Sequence, residues 1–246
     1  YIQDVRFYNK ICKYTQDFLV GSPQCDIKMG SSSGVSYSSK LTKTTSGGVS
    51  GDASTSDYLQ MASSSDFSLD GDFTVEWWYF RPSKDNAFMW TIHDSNTSTG
   101  LELYWGSSGD VLNLYTNGSA TNQNSTFRPG WSHYAVVRSG GTITAYYNGV
   151  AQSGTLSNSN TFSGNVTIGG EYYSGSVTGG LSGPISNFRL VKGTAVYTQN
   201  FAPPTSPLTN ITNTKLLCCQ GGSPYNYSPV KAGTAKFNLP LSSAPF

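Results

Sequence analysis

The stretch Phe73-Thr74-Val75-Glu76-Trp77-Trp78-Tyr79-Phe80 restricts the fold more than any other part of the chain. Read with a period of two, Phe73, Val75, Trp77 and Tyr79 share one face, and Thr74, Glu76, Trp78 and Phe80 share the other. Aromatics on both faces suit a central strand of a sandwich that is covered over more than half its circumference. Pro82 ends it, since proline cannot donate to a ladder. Further strands are predicted at Tyr58 to Met61, Ala87 to Ile92, Leu101 to Trp105, Val111 to Tyr115, Trp131 to Arg138, Thr142 to Tyr147, Val166 to Ile168 and Ile185 to Val191. The polar loop His93 to Gly100 splits two of them. Within Trp131 to Arg138, His133, Ala135 and Val137 oppose Tyr134 and Val136. Ser139-Gly140-Gly141 makes a hairpin connection, and Asn148-Gly149 is the clearest turn signal in the chain. Asp66 to Asp72 turns the chain, with a helical turn expected at Asp66 to Leu69, and the glycine-rich Gly169 to Gly183 precedes the last strand. Strands that recur every 10 to 15 residues or so, without a helical period, predict an all-β antiparallel β-sandwich or jelly roll.

One segment occurs twice. Laying Tyr1 to Phe18 on the chain 183 positions later needs no gap. Ile2 falls on Ile185, Arg6 on Arg189, Tyr14 on Tyr197, Thr15 on Thr198, Gln16 on Gln199 and Phe18 on Phe201. A fixed internal period points to an array. Residues 1–24 are therefore expected to end a preceding repeat, 25–45 to be a Ser/Gly/Thr-rich linker, 46–220 to be the domain, and 221–246 to be a Pro-rich linker or strap. The chain opens inside what reads as a strand, with no initiator Met or signal peptide, and is expected to be part of something longer.

Composition excludes several partners. Only 12% of the 246 residues are charged and the net charge is +1, which gives no electrostatic case for nucleic acid. No apolar run approaches the ~18 residues of a membrane helix, so membrane insertion is not expected. Aromatics at 13% argue against disorder. The cysteines are Cys12, Cys25, Cys218 and Cys219. Adjacent cysteines are poorly placed to bridge each other, and two distant histidines complete no zinc site. Buried free thiols are expected, with a Cys12–Cys25 bridge left open.

At this point the motifs carry a resemblance. Asp72-Phe73-Thr74-Val75-Glu76-Trp77-Trp78, Trp131 to Arg138, Tyr147-Asn148-Gly149, Ile168-Gly169-Gly170 and Gly183 to Leu190 resemble laminin-G-like domains of the concanavalin A-like jelly-roll superfamily, over about residues 46–205. Lys192 to Thr198, Phe201-Ala202-Pro203-Pro204-Thr205 and Asn213 to Gln220 are similar to the endings of such domains in tailed-phage virion structural proteins, cyanophages among them. That resemblance implies a non-enzymatic virion structural protein, a capsid decoration or tail appendage or fibre, on the virion surface. Its partners would be other virion proteins, copies of itself and a host-surface glycan. The alternative is a carbohydrate-binding, lectin-like module of an extracellular adhesin.

The candidate sites follow from that. Related glucanases use paired carboxylates as E-x-D-x-x-E. The three glutamates here, Glu76, Glu102 and Glu171, do not form it, so no enzyme and no catalytic residue is expected. Gly30-Ser31-Ser32-Ser33-Gly34 spells G-x-S-x-G, but in a Ser-rich loop rather than a strand-to-helix turn. His133 is expected to be a half-buried strand residue and His93 a loop residue. Laminin-G-like domains often hold one calcium at the rim through oxygen ligands. Asp94 with Asn96 is the nearest candidate, Asp110 a second, and a solvated turn the simpler reading. For sugar stacking the candidates are Trp105, Tyr172 and Tyr173, the aromatics nearest the rim loops. Six N-x-S/T sequons, at Asn96, Asn117, Asn124, Asn165, Asn210 and Asn226, follow from composition.

Overall fold

The computed structural model describes residues 58–83, 86–93, 100–106, 111–116, 118–123, 128–173 and 175–220, together with the backbone of five short strands outside them. The first copy of the repeated segment, Cys12, Cys25, the Gly30–Gly34 motif, Asp94, Asn96 and Asp110 lie outside the described residues.

Two antiparallel sheets face each other. The nine-stranded sheet has the Phe73–Arg81 strand at its centre. Gly130–Ser139 flanks it on one side and Ser182–Lys192 on the other, both antiparallel. Thr142–Tyr147 extends the sheet beyond Gly130–Ser139. The seven-stranded sheet runs Leu59–Met61, Asn165–Ile168, Ala87–His93, Leu101–Trp105, Leu112–Thr116, Ser119–Asn122, with Ala235–Phe237 added at its first edge. Leu241–Ser242 pairs with Gly48–Asp52 on the other sheet. The tail thus returns to the edges of this domain's own two sheets. No helical element occurs among the described residues.

The alternation read from the sequence sets the core. Phe73, Val75, Trp77 and Tyr79 all point between the sheets and are fully buried. Trp77 stacks on Tyr134 at 5.6 Å and meets Trp90 of the opposite sheet edge-on at 5.6 Å. Phe188 lies 6.0 Å away on its other side. Each such aromatic pair adds roughly 0.5–1.5 kcal/mol beyond the burial of its area. This cluster therefore fixes how the sheets sit on each other as well as holding them together.

The second face of the same strand is buried for a different reason. After Lys192 the chain leaves the sheet and crosses its outside, where Ala195, Tyr197 and Phe201 pack on Ala135, Val137 and Tyr146. Thr74 and Glu76 are covered by this strap. Both hairpin turns read from the sequence are present. Gly140 and Gly141 join Ser139 to Thr142 with positive φ, and Asn148 and Gly149 take φ of 50° and 76°.

The structure departs from the sequence reading in four places. Asp66 to Leu69 forms no helical turn, only a bend closed by the Phe67 amide donating to the Ser64 carbonyl at 3.1 Å. The glycine-rich segment is a hairpin of Gly170–Tyr173 and Ser176–Gly180. Thr214–Cys218 is a strand on the edge of Ser182–Lys192. The histidines are buried: His93 ends the Ala87–His93 strand, and His133 lies beneath the strap.

Candidate functional site

The outer face of the seven-stranded sheet carries the polar half of each alternating strand. Register places Gln60, Thr167, Thr91, Glu102 and Tyr115 in one row across five strands. The first four are buried although they face away from the core. The cover over Thr91 is the Gly170–Gly180 hairpin, which folds back over this face. The Tyr172 amide donates to Thr91 Oγ1 at 3.4 Å. Gly179, at φ +59°, lies so close to the Phe88 ring that a Cβ there would stand 2.2 Å from it. Only glycine satisfies both the backbone and the contact.

Glu102 is the unusual member of the row. It is 3% exposed, and its Oε2 has no hydrogen-bond partner among the described residues. Burial pushes its carboxyl up to about 8, and the nearby Glu171 carboxylate adds to the effect. Glu171, on the hairpin, accepts from the Thr178 hydroxyl at 3.1 Å. The phenols of Tyr104 and Tyr115 are raised by burial first, and then by the charges of Glu102 and Glu171. The two tyrosines and the two carboxyls therefore share one electrostatic neighbourhood. Tyr104 stacks on Phe88 at 5.0 Å. Beyond the hairpin, Tyr104, Asn113 and Tyr115 remain half-buried and open to solvent. At one end of the face Tyr173, 43% exposed, tilts against His93 with ring centres 6.2 Å apart.

Three predicted sugar-stacking residues separate here. Tyr172 and Tyr173 lie on the hairpin over this face. Trp105 does not reach the surface. It is 0% exposed, donates from Nε1 to the Tyr134 hydroxyl at 3.2 Å, and carries the Arg81 guanidinium 4.3 Å above its ring. Its alternation with Leu101 and Leu103 puts it in the core, and the nearby loop misled the sequence reading. The strand ends flanking Asp94 are His93 and Gly100, and those flanking Asp110 are Gly106 and Val111. Gly100 and Gly106 sit at opposite ends of the Leu101–Trp105 strand, about 20 Å apart at ~3.3 Å per residue. Among the described residues, no three His, Cys, Asp or Glu side chains gather to hold a metal ion. The pairing of Glu102 with Glu171 was missed. These residues are 69 positions apart in sequence, and only the folded-back hairpin brings them together.

A second charged cluster lies under the strap on the other sheet. Glu76 accepts from Arg189 Nε at 2.9 Å and from Nη2, and from the Tyr197 hydroxyl at 2.8 Å; His133 Nε2 is 3.3 Å away. Glu76 and His133 are both fully buried, with no opening for a ligand. This cluster holds the strap down.

The chain resembles known proteins in fold. A laminin-G-like family model described as "Concanavalin A-like lectin/glucanases superfamily" matches residues 52–196, more than half of the chain. A search of the curated proteins found none similar enough to count as a match. Among solved structures, the native heptameric SAP-like pentraxin from Limulus polyphemus superposes with a TM-score of 0.53 at 16% identity, over 81% of this chain and 95% of that one. The mouse laminin alpha1 chain domains LG4-5 give 0.45 at 14% identity, over 65% and 47%. The CBM40 of the Ruminococcus gnavus IT-sialidase, bound to alpha2,3 sialyllactose, gives 0.46 at 11%, over 61% and 91%. With its two facing antiparallel sheets and a family model that spans most of them, the chain belongs to the concanavalin A-like lectin/glucanase superfamily, as a laminin-G-like jelly-roll domain.

Proposed function

We propose that this domain is a non-enzymatic carbohydrate-binding module that takes its ligand on the outer face of the seven-stranded sheet. The observation that carries this reading is a pair of phenols, Tyr104 and Tyr115, left half open beside Asn113 next to the part of the face that its own hairpin covers. Rings at that depth offer a sugar an apolar surface to stack on, and the neighbouring amide and carboxyls offer hydrogen bonds. The exposed ring of Tyr173 extends the same face at one end. Membership of a superfamily described by its lectins and glucanases supports a carbohydrate as the ligand.

Hydrolysis is disfavoured by access. A glycosidase presents an acid and a second carboxylate to the scissile bond. Glu102 would be the acid, yet it is 3% exposed, and Glu171 is engaged by Thr178. Binding to immobilised glycans tests the proposal. Saturable binding that falls at least tenfold in both Tyr104→Ala and Tyr115→Ala is expected. Absence of binding to any glycan, or binding untouched by both substitutions, would remove it, and release of reducing sugar would remove its non-enzymatic part. Display of the module on a virion appendage rests on the sequence resemblance to phage structural proteins, and density for the sandwich on an intact particle tests it.

A further inference from the structure

We infer that the ligand of this face is a glycan without acidic groups, built from uncharged or amino-bearing sugars; this rests on the carbohydrate-binding reading above. The first ground is what the strands lack. Leu59–Met61, Asn165–Ile168, Ala87–His93, Leu101–Trp105, Leu112–Thr116, Ser119–Asn122 and both strands of the covering hairpin contain no lysine or arginine. A carboxylate or sulfate on a sugar is ordinarily met by such a cation, arginine above all.

Cations elsewhere in the described structure, the exposed Arg128 apart, are held by other groups. Arg138 donates to the carbonyls of Leu69, Gly71 and Asn160, and Arg189 is bound to Glu76. Arg81 lies over the buried Trp105 ring, and Arg128 stands on the crossover that leaves Ser119–Asn122 for the other sheet. The edge strand Ala235–Phe237 places Lys236 opposite Gln60. From there to Glu102 the row crosses four strand spacings, about 19 Å at ~4.8 Å each. That exceeds two Debye lengths at physiological salt, where one is ~8 Å.

The second ground is what the face holds. Among the described residues of the face, Glu102 and Glu171 are the carboxyls. Glu102 keeps one buried oxygen without a partner. The carboxylate or sulfate of an acidic sugar is repelled by the Glu171 carboxylate, with no lysine or arginine on these strands to offset it. The face therefore discriminates by charge before it discriminates by shape.

The test uses the full chain at pH 7.5 and 0.15 M salt on an array pairing each neutral or amino glycan with its uronate, sialylated or sulfated counterpart. Every hit is expected to be neutral or amino-bearing, with its acidic counterpart at least tenfold weaker. Glu171→Gln, which keeps an acceptor for Thr178, is expected to narrow that gap several-fold. An acidic glycan that binds as tightly as its neutral counterpart overturns the charge inference while leaving carbohydrate binding in place. A gap unchanged by Glu171→Gln also overturns it. An array with no hit removes the carbohydrate reading itself, and this inference with it.

Discussion

Tyr197 donates its hydroxyl to Glu76 Oε2 at 2.8 Å, across 121 residues of chain. Arg189 binds the other carboxylate oxygen, and Phe201 stacks on the Tyr197 ring at 3.6 Å and meets the His133 ring edge-on at 5.6 Å. Arg189, Tyr197 and Phe201 are three of the six residues repeated near the start of the chain, as Arg6, Tyr14 and Phe18. A fourth, Ile185, lies in the core. In the second copy these residues form one closing device: a last strand that delivers an arginine to a buried glutamate, and a strap whose tyrosine caps it.

Breaking this cluster should be expensive and cooperative. Glu76→Gln leaves Arg189 without its counter-charge in a buried site and is expected to destabilise the domain by about 3–5 kcal/mol. Tyr197→Phe removes a hydrogen bond to a charged group and is expected to cost about 1.5–3 kcal/mol. Urea denaturation of both single variants and the double should give a coupling of at least ~0.5 kcal/mol; strict additivity would show that the two residues act independently. Acid adds a check. Burial alone would raise the Glu76 carboxyl, but contact with His133 and the charge of Arg189 outweigh it and hold it below its ordinary 4.5. A depressed acid stabilises the fold above the unfolded value and loses that contribution as pH falls through the folded one. Glu76→Gln should therefore lose less stability than the wild type on acidification below 4.5.

Gly149 anchors the far end of the strap. Its carbonyl accepts the Phe201 amide at 2.9 Å, and a Cβ on it would stand 1.9 Å from the Phe201 carbonyl oxygen. Gly149→Ala is expected to lift the strap, exposing residues 194–201 to limited proteolysis. Gly140→Ala is the control. It shares the positive φ but has open space around its Cβ, so only the backbone strain of about 1–2 kcal/mol remains. Equal protection of the strap in both variants would show that Gly149 matters only for its turn.

The fold was legible because its signals are local. Alternation in Phe73 to Phe80 placed four side chains in the core, and Asn148-Gly149 marked its turn without help from any neighbour. The strap was visible only as a repeated string, since what buries Thr74 and Glu76 lies about 120 residues away. The site was far less legible. Nearness to rim loops singled out Tyr172 and Tyr173, which lie on the hairpin over that face, and the same signal misjudged Trp105, because nearness to a loop in sequence says nothing about which face a strand residue takes. Glu102 gave no signal at all. Its unusual state comes from burial and from the charge of Glu171 on the hairpin, and glycine-rich sequences do not announce where they fold back.

Cys218 and Cys219 are both buried, with their sulfurs 3.7 Å apart and no bridge between them. Burial first, then its neighbour, pushes the Cys218 thiol well above its ordinary value, so little thiolate forms. In a Cys12→Ser/Cys25→Ser background, neither thiol should react with an aromatic disulfide reagent in native buffer, and both should react in denaturant. Fast native labelling of either would mean that the Thr214–Cys218 edge opens readily.

The last expectation concerns Glu102, whose pH dependence has the opposite sign to that of Glu76. Its carboxyl titrates near 8 in the folded chain against an ordinary 4.5, so the native state holds the proton more tightly than the unfolded state. Stability is then greatest below 4.5 and falls as pH rises towards 8, because the unfolded chain gains by ionising where the buried carboxyl cannot. The slope approaches about 1.4 kcal/mol per pH unit, a loss on the order of 4 kcal/mol across the window. Glu102→Gln keeps the shape and cannot ionise, so its stability should stay flatter from pH 5 to 8, with the gap to the wild type widening at the alkaline end. The two glutamates separate cleanly, since Glu76 acts below 4.5 and Glu102 above it. Denaturant midpoints that run parallel for wild type and Glu102→Gln from pH 5 to 8 would mean that Glu102 is not sealed beneath the hairpin.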